Sequence, residues 1–102
     1  MRRVVYISGP ITGVPRYWEA FEAAEDLITA KGWIPLSPAR LPEGMTNEQY
    51  IRICFAMIDS ADMVLFLPTW PTSLGSRLEH HYCVYTKKWI LDFEGVKAWR
   101  LH

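Results

Sequence analysis

Four short apolar runs alternate with stretches whose apolar residues recur at helical spacing, and this alternation constrains the fold more than any single motif. Arg3–Ser8 (RVVYIS) is β-branched and aromatic and stops at Gly9-Pro10, the pattern of a short buried strand. Pro15 suits a first helical turn, where its missing N–H would have no partner anyway. Tyr17, Phe21, Ala24 and Ile28 then fall on one helical face, and Gly32 stops the helix. Trp33–Leu36 reads as a second strand. Thr46-Asn47-Glu48-Gln49 has capping-box spacing and opens a second helix through Ile58. Asp62–Leu67 is the most hydrophobic strand and belongs at the centre. Leu78, Tyr82 and Tyr85 mark a third helix that ends near Lys87-Lys88, whose charges suit a helix C-terminus. Trp89–Phe93 is a fourth strand, and Val96–Leu101 a short final helix.

The order βαβαβαβ calls for a parallel sheet with helices on both faces and right-handed crossovers. The expected architecture is α/β: a small flavodoxin-like or Rossmann-like three-layer sandwich, its four parallel strands in the order 2-1-3-4. Ligands bind such sheets beyond the carboxyl ends of the strands, beside the point where strand order reverses, here between strands 1 and 3. That rule selects three loops, Ser8–Val14, Ser37–Gly44 and Pro68–Gly75.

Composition narrows the function classes. The 102 residues suit one domain, taken as 1–102, and half of them are hydrophobic, enough for a packed core. Eleven basic residues balance eleven acidic ones, so neither a polymeric nucleic acid nor an anionic membrane is the expected partner. The longest wholly apolar run, Met63–Pro68, is far short of the roughly 20 residues of a membrane span, and a cytoplasmic protein is expected. Two cysteines, Cys54 and Cys83, make no disulfide framework or paired metal motif. Neither a metal nor a cofactor is called for.

Three places carry candidate chemistry. Ser8-Gly9-Pro10-Ile11-Thr12-Gly13 follows strand 1, where glycines let backbone approach a ligand and the next helix offers free N–H groups. It is not G-x-G-x-x-G, and no Gly-Lys-Ser/Thr follows, so it reads as a tight turn or as a small phosphate or sugar site. Ser73-Leu74-Gly75-Ser76-Arg77-Leu78-Glu79 follows strand 3. Ser73, Gly75 and Ser76 can hold a phosphate there, and Glu79 near the mouth of the sheet can serve as nucleophile or base. Ser76-x-x-Glu79 is equally a capping box. Tyr6, two residues before Ser8, can reach the same crevice or belong to the core. Trp70, in the strand-3 loop, can stack on a base or pack on a partner subunit. Asp62 opens strand 3 at the end away from the crevice and reads as a structural acid. His80 and His81 lack metal spacing and read as structural or surface residues, and both cysteines read as small core residues.

Tyr6-Ile7-Ser8-Gly9-Pro10-Ile11-Thr12-Gly13, Ser37-Pro38, Ser60-Ala61-Asp62, Leu67-Pro68-Thr69-Trp70 and Ser73-to-Glu79 together resemble the nucleoside 2-deoxyribosyltransferase-like superfamily. Within it they resemble a set of short proteins frequent in bacteriophages and prophages. The likeness spans Val5 to Ile90. It implies cleavage of the N-glycosidic bond of a nucleoside or nucleoside 5′-monophosphate, by hydrolysis or transfer, through a covalent glycosyl-enzyme on Glu79. Tyr6 would position that nucleophile. Ser8, Gly9, Pro10 and Ile11 would contact the sugar or phosphate, and Ser73, Gly75 and Ser76 a 5′-phosphate. The resemblance also implies a homo-oligomer whose neighbouring subunit completes the site. Two departures stand out: Cys54 falls where catalytic members carry an aspartate, and the first loop lacks the arginine of the nucleotide hydrolases, Arg16 following only after Thr12-Gly13-Val14-Pro15. They leave open a nucleotide-binding or protein-interaction domain with little or no catalysis. If the enzymatic reading holds, the Glu79 carboxylate should lie within about 3.2 Å of the Tyr6 phenol in an open cleft.

Overall fold

The computed structural model describes residues 2–99. Its elements run β1 (Val4–Ser8), α1 (Tyr17–Ala30), β2 (Ile34–Leu36), a 3₁₀ turn at Pro38–Arg40, α2 (Asn47–Ser60), β3 (Met63–Phe66), a second 3₁₀ turn at Trp70–Thr72, α3 (Leu74–Tyr85), β4 (Trp89–Asp92) and α4 (Phe93–Ala98). All strand pairs are parallel and the order is β2-β1-β3-β4, as the alternation predicted. The final helix begins three residues earlier than expected because the Asp92 carboxylate caps it, accepting from the Gly95 N–H at 2.7 Å. The expected stretch Arg100–Leu101 lies outside the described residues.

The two central strands divide the core. Val5, Ile7, Met63, Leu65 and Leu67 pack with Phe21, Ala24 and Ile28 of α1 and with Val96 of α4. Tyr6, Val64 and Phe66 face the other way, onto Cys54 and Ile58 of α2 and Cys83 of α3. Asp62 stitches the amino ends of the central pair: its carboxylate accepts from the Val4 N–H at 2.7 Å, and its own N–H donates to the Val4 carbonyl at 2.8 Å. The helix entries follow their local sequences. Thr46 and Gln49 form the predicted capping box at α2.

Helix α3 departs from its sequence pattern. Leu78 and Tyr85, read as markers of its apolar face, are 50% and 87% exposed, and the buried residues are Ser76, Glu79 and Cys83. The inward face is polar because β1 offers it polar partners.

Candidate active site

Alternation along β1 decides what those partners are. Successive strand side chains point to opposite faces, so Tyr6 and Ser8 share the face that α3 covers. On α3, Ser76 and Glu79 are three residues apart and lie on one side of the helix. Both oxygens of Glu79 are held: Oε2 accepts from the Tyr6 hydroxyl at 3.1 Å and Oε1 from Ser8 Oγ at 2.7 Å. Ser8 Oγ is also 3.1 Å from Ser76 Oγ. A hydroxyl carries one proton. When the Ser8 hydroxyl donates to the carboxylate, Ser76 donates to Ser8, and the chain runs Ser76 to Ser8 to Glu79.

Protonation follows from the burial of these groups. Burial, then the adjacent Glu79 charge, holds the Tyr6 phenol well above its ordinary range, so it stays a donor. Burial pushes the Glu79 carboxyl up from the usual carboxylate range, opposed by the bonds from Ser8, Tyr6 and the Cys54 thiol. Cys54 itself is pushed up to about 11, chiefly by burial, and is therefore a neutral thiol. Cys83, one turn after Glu79, is pushed up to about 11 as well, by burial and then by the Glu79 charge.

The remaining predicted residues surround this cluster in different ways. Ser73 is the N-cap of α3, its Oγ accepting from the Ser76 N–H at 3.2 Å. The Ser76–Glu79 capping box does not form, because Ser76 is already inside the helix and Glu79 is drawn to β1. A Cβ at Gly75 would meet nothing nearer than Ser73 Oγ at 3.7 Å, so packing does not require glycine there. At Gly9 it does: a Cβ would fall 2.5 Å from Leu67 Cδ1 and 3.1 Å from Leu67 Cβ. Pro10 and Ile11 follow in the β1–α1 loop, both half-buried. Trp70 is stacked on His80, ring centroids 4.3 Å apart and planes 12° apart, and meets Phe66 edge-on at 5.3 Å.

The expected open cleft is nearly closed. Glu79 is 6% exposed and Tyr6 and Ser8 are fully buried. Leu41, from the β2–α2 connection, and Trp70, from the β3–α3 connection, pack against the cluster that holds Tyr6 and Cys54. A cavity of about 380 Å³ opens at the strand-order reversal, between Pro10, Val14 and Arg16 on one side and Leu67, Thr69 and Thr72 on the other, but Glu79 does not line it. A second, of about 520 Å³, lies toward the opposite end of the sheet among Arg3, Trp33, Trp89 and Trp99. No group of three or more metal-ligating side chains occurs among the described residues. No helix there is long and apolar enough to cross a membrane.

One residue at the site escaped the sequence reading, and a second was reached only through the resemblance. Cys54, which the resemblance sets where an aspartate is expected, belongs to the core cluster and lies against Tyr6 and Glu79. His80 shares Trp70 and Phe66 with the wall of the crevice. Its place one residue after Glu79 was the available signal, but the direction of its ring depends on where α3 docks.

The fold is deoxyribosyltransferase-like. A solved structure described as a 2-desoxiribosyltransferase from Leishmania mexicana superposes with a TM-score of 0.70 at 22% identity, covering 89% of this chain. The chain spans 63% of that protein's length, and the likeness is one of fold. The family model described as Domain of unknown function (DUF4406) matches residues 3–92, and the chain belongs to that family. No curated protein matched the sequence.

Proposed function

We propose that this chain, acting as a single deoxyribosyltransferase-like domain, cleaves the N-glycosidic bond of a nucleoside or nucleoside 5′-monophosphate. Glu79 attacks C1′ to form a glycosyl ester, and water or a second base resolves it. One observation carries the reading: a carboxylate at the carboxyl ends of the two central strands with each oxygen held by a separate hydroxyl, Tyr6 at 3.1 Å and Ser8 at 2.7 Å. Such a carboxylate is aimed, and it is poised to stabilise the cationic character that develops on the sugar. Ser8, Gly9, Pro10 and Ile11 line the sugar side, Ser73, Gly75 and Ser76 take a 5′-phosphate, and Trp70 stacks on the base. Leu41 must shift to admit the sugar. The resemblance is the support for an enzyme of the short phage-associated branch, acting in the cytoplasm as a homo-oligomer.

The test is free-base release from the common nucleosides and their monophosphates. Wild-type protein should release base and Glu79→Gln should lose at least about 100-fold in rate. A wild type that releases none from the whole panel refutes the proposal. A second reading, nucleotide binding without turnover, rests on Cys54, a neutral thiol beside the carboxylate where an acid is expected. Ligand-dependent thermal stabilisation without base release would establish that reading instead.

A further inference from the structure

The geometry points to His80 as the group that protonates the departing base, a role that rests on the glycosidase reading of Glu79 given above. A heterocyclic base leaves C1′ with the bonding electron pair and departs far faster once protonated, so the reaction needs an acid as well as a nucleophile. The groups around the carboxylate do not provide one. Tyr6 donates to Glu79 and burial keeps its proton in place, Ser8 and Ser76 are occupied with each other and with Glu79, and the Cys54 thiol is a weak acid at about 11.

His80 is placed differently. It follows Glu79 on α3, so its side chain leaves the helix about 100° around the axis and meets β3 instead of β1. Its ring meets Phe66 at 5.1 Å between centroids and 71° between planes, and it stacks on Trp70. Phe66 is the register partner of Ser8 across the β1–β3 pair, and Ser8 holds Glu79 Oε1. Imidazole and carboxylate therefore flank the same seam at its carboxyl end. The ring is half-buried and takes no part in the hydrogen bonds that hold Glu79. Trp70 fixes the imidazole plane beside the loop where the base would stack. Histidine is also the side chain suited to give and regain a proton near neutral pH.

The steps balance. A Glu79 oxygen bonds to C1′ as the C1′–N bond breaks and its electron pair goes to the base, which takes the imidazolium proton. The neutral imidazole then accepts a proton from a water whose oxygen bonds to C1′. The ester C1′–O bond breaks, and its pair returns to the carboxylate.

The experiment compares leaving groups. Wild type, His80→Phe and His80→Gln are assayed with the nucleoside or monophosphate that wild type cleaves fastest, and with 4-nitrophenyl 2-deoxyriboside, whose phenolate departs without a proton. Phe preserves the stack on Trp70 and Gln preserves polarity, and thermal melting checks that each variant folds. Both variants should lose about 100-fold or more on the natural base and less than about tenfold on the nitrophenyl sugar. Equal losses on both substrates, or no loss on the natural one, overturn the role of His80 while leaving Glu79 in place. Absence of any cleavage by wild type overturns both.

Discussion

A carboxylate held by hydroxyls inside a nearly closed cluster is set against its own ionisation. The donors from Tyr6 and Ser8 favour the charged form of Glu79, and burial disfavours it more strongly. Removing a donor must therefore raise the carboxyl pKa further. Tyr6→Phe should move the rising limb of the pH–rate profile to higher pH, and a limb that stays in place would mean that Tyr6 does not hold the nucleophile. The same imbalance has a thermodynamic sign. A carboxyl raised above its unfolded value of about 4.3 contributes stability that is full below that value and lost as pH rises through the folded one. Glu79→Gln keeps an acceptor for Tyr6 and carries no charge. It should melt above wild type at pH 7, with the gap closing toward pH 4. At this scale the sequence was readable where two residues lay on one strand face, as Tyr6 and Ser8 do. It was not readable where contact depends on a docking angle, which is why the stack of His80 on Trp70 was missed and Cys54 was reached only through the resemblance.

Helix α3 shows what a periodicity argument sees and what it overlooks. Its strongest apolar repeat, Leu78 and Tyr85, points outward, whereas a serine, a glutamate and a cysteine point in. Hydrophobic spacing assumes an apolar partner surface, and β1 presents a phenol and a hydroxyl instead. The capping box of α2 was legible because it depends on four consecutive residues, and the Ser76-x-x-Glu79 pattern misled because Glu79 had a better partner elsewhere. The first turn of α3 yields a further prediction. Nothing in the packing asks for glycine at 75, and glycine within a helix costs roughly 0.5–1 kcal/mol relative to alanine. Gly75→Ala should raise stability in a denaturant titration by about that amount. If a 5′-phosphate lies against this turn, the same change should weaken monophosphate binding while leaving the affinity for the bare nucleoside unchanged. Equal effects on both ligands would remove the phosphate from Gly75.

Across the whole molecule the sheet has a direction: its amino ends are stitched and its carboxyl ends carry the polar seam. Strand order and this polarity were legible because alternation and handedness leave few ways to wind four parallel strands. The closure over the seam was not, since it comes from Leu41 and Trp70, two residues far apart in sequence whose loops meet only once α2 and α3 have docked. Asp62 separates the two ends experimentally. Asp62→Ala removes the bond to the Val4 N–H and should cost about 1–2 kcal/mol by chemical denaturation with kcat unchanged; a fall in kcat in the folded variant would contradict a purely structural role. The contact of Gly9 with Leu67, joined by the Leu67 N–H donating to the Ser8 carbonyl at 2.9 Å, bears on how a substrate enters. The two central strand ends are tied to each other beneath the seam, so under the proposed activity a nucleoside is not admitted by parting them like a pair of jaws. It would come through the roof, past the leucine at 41, while the indole at 70 keeps its place on the imidazole.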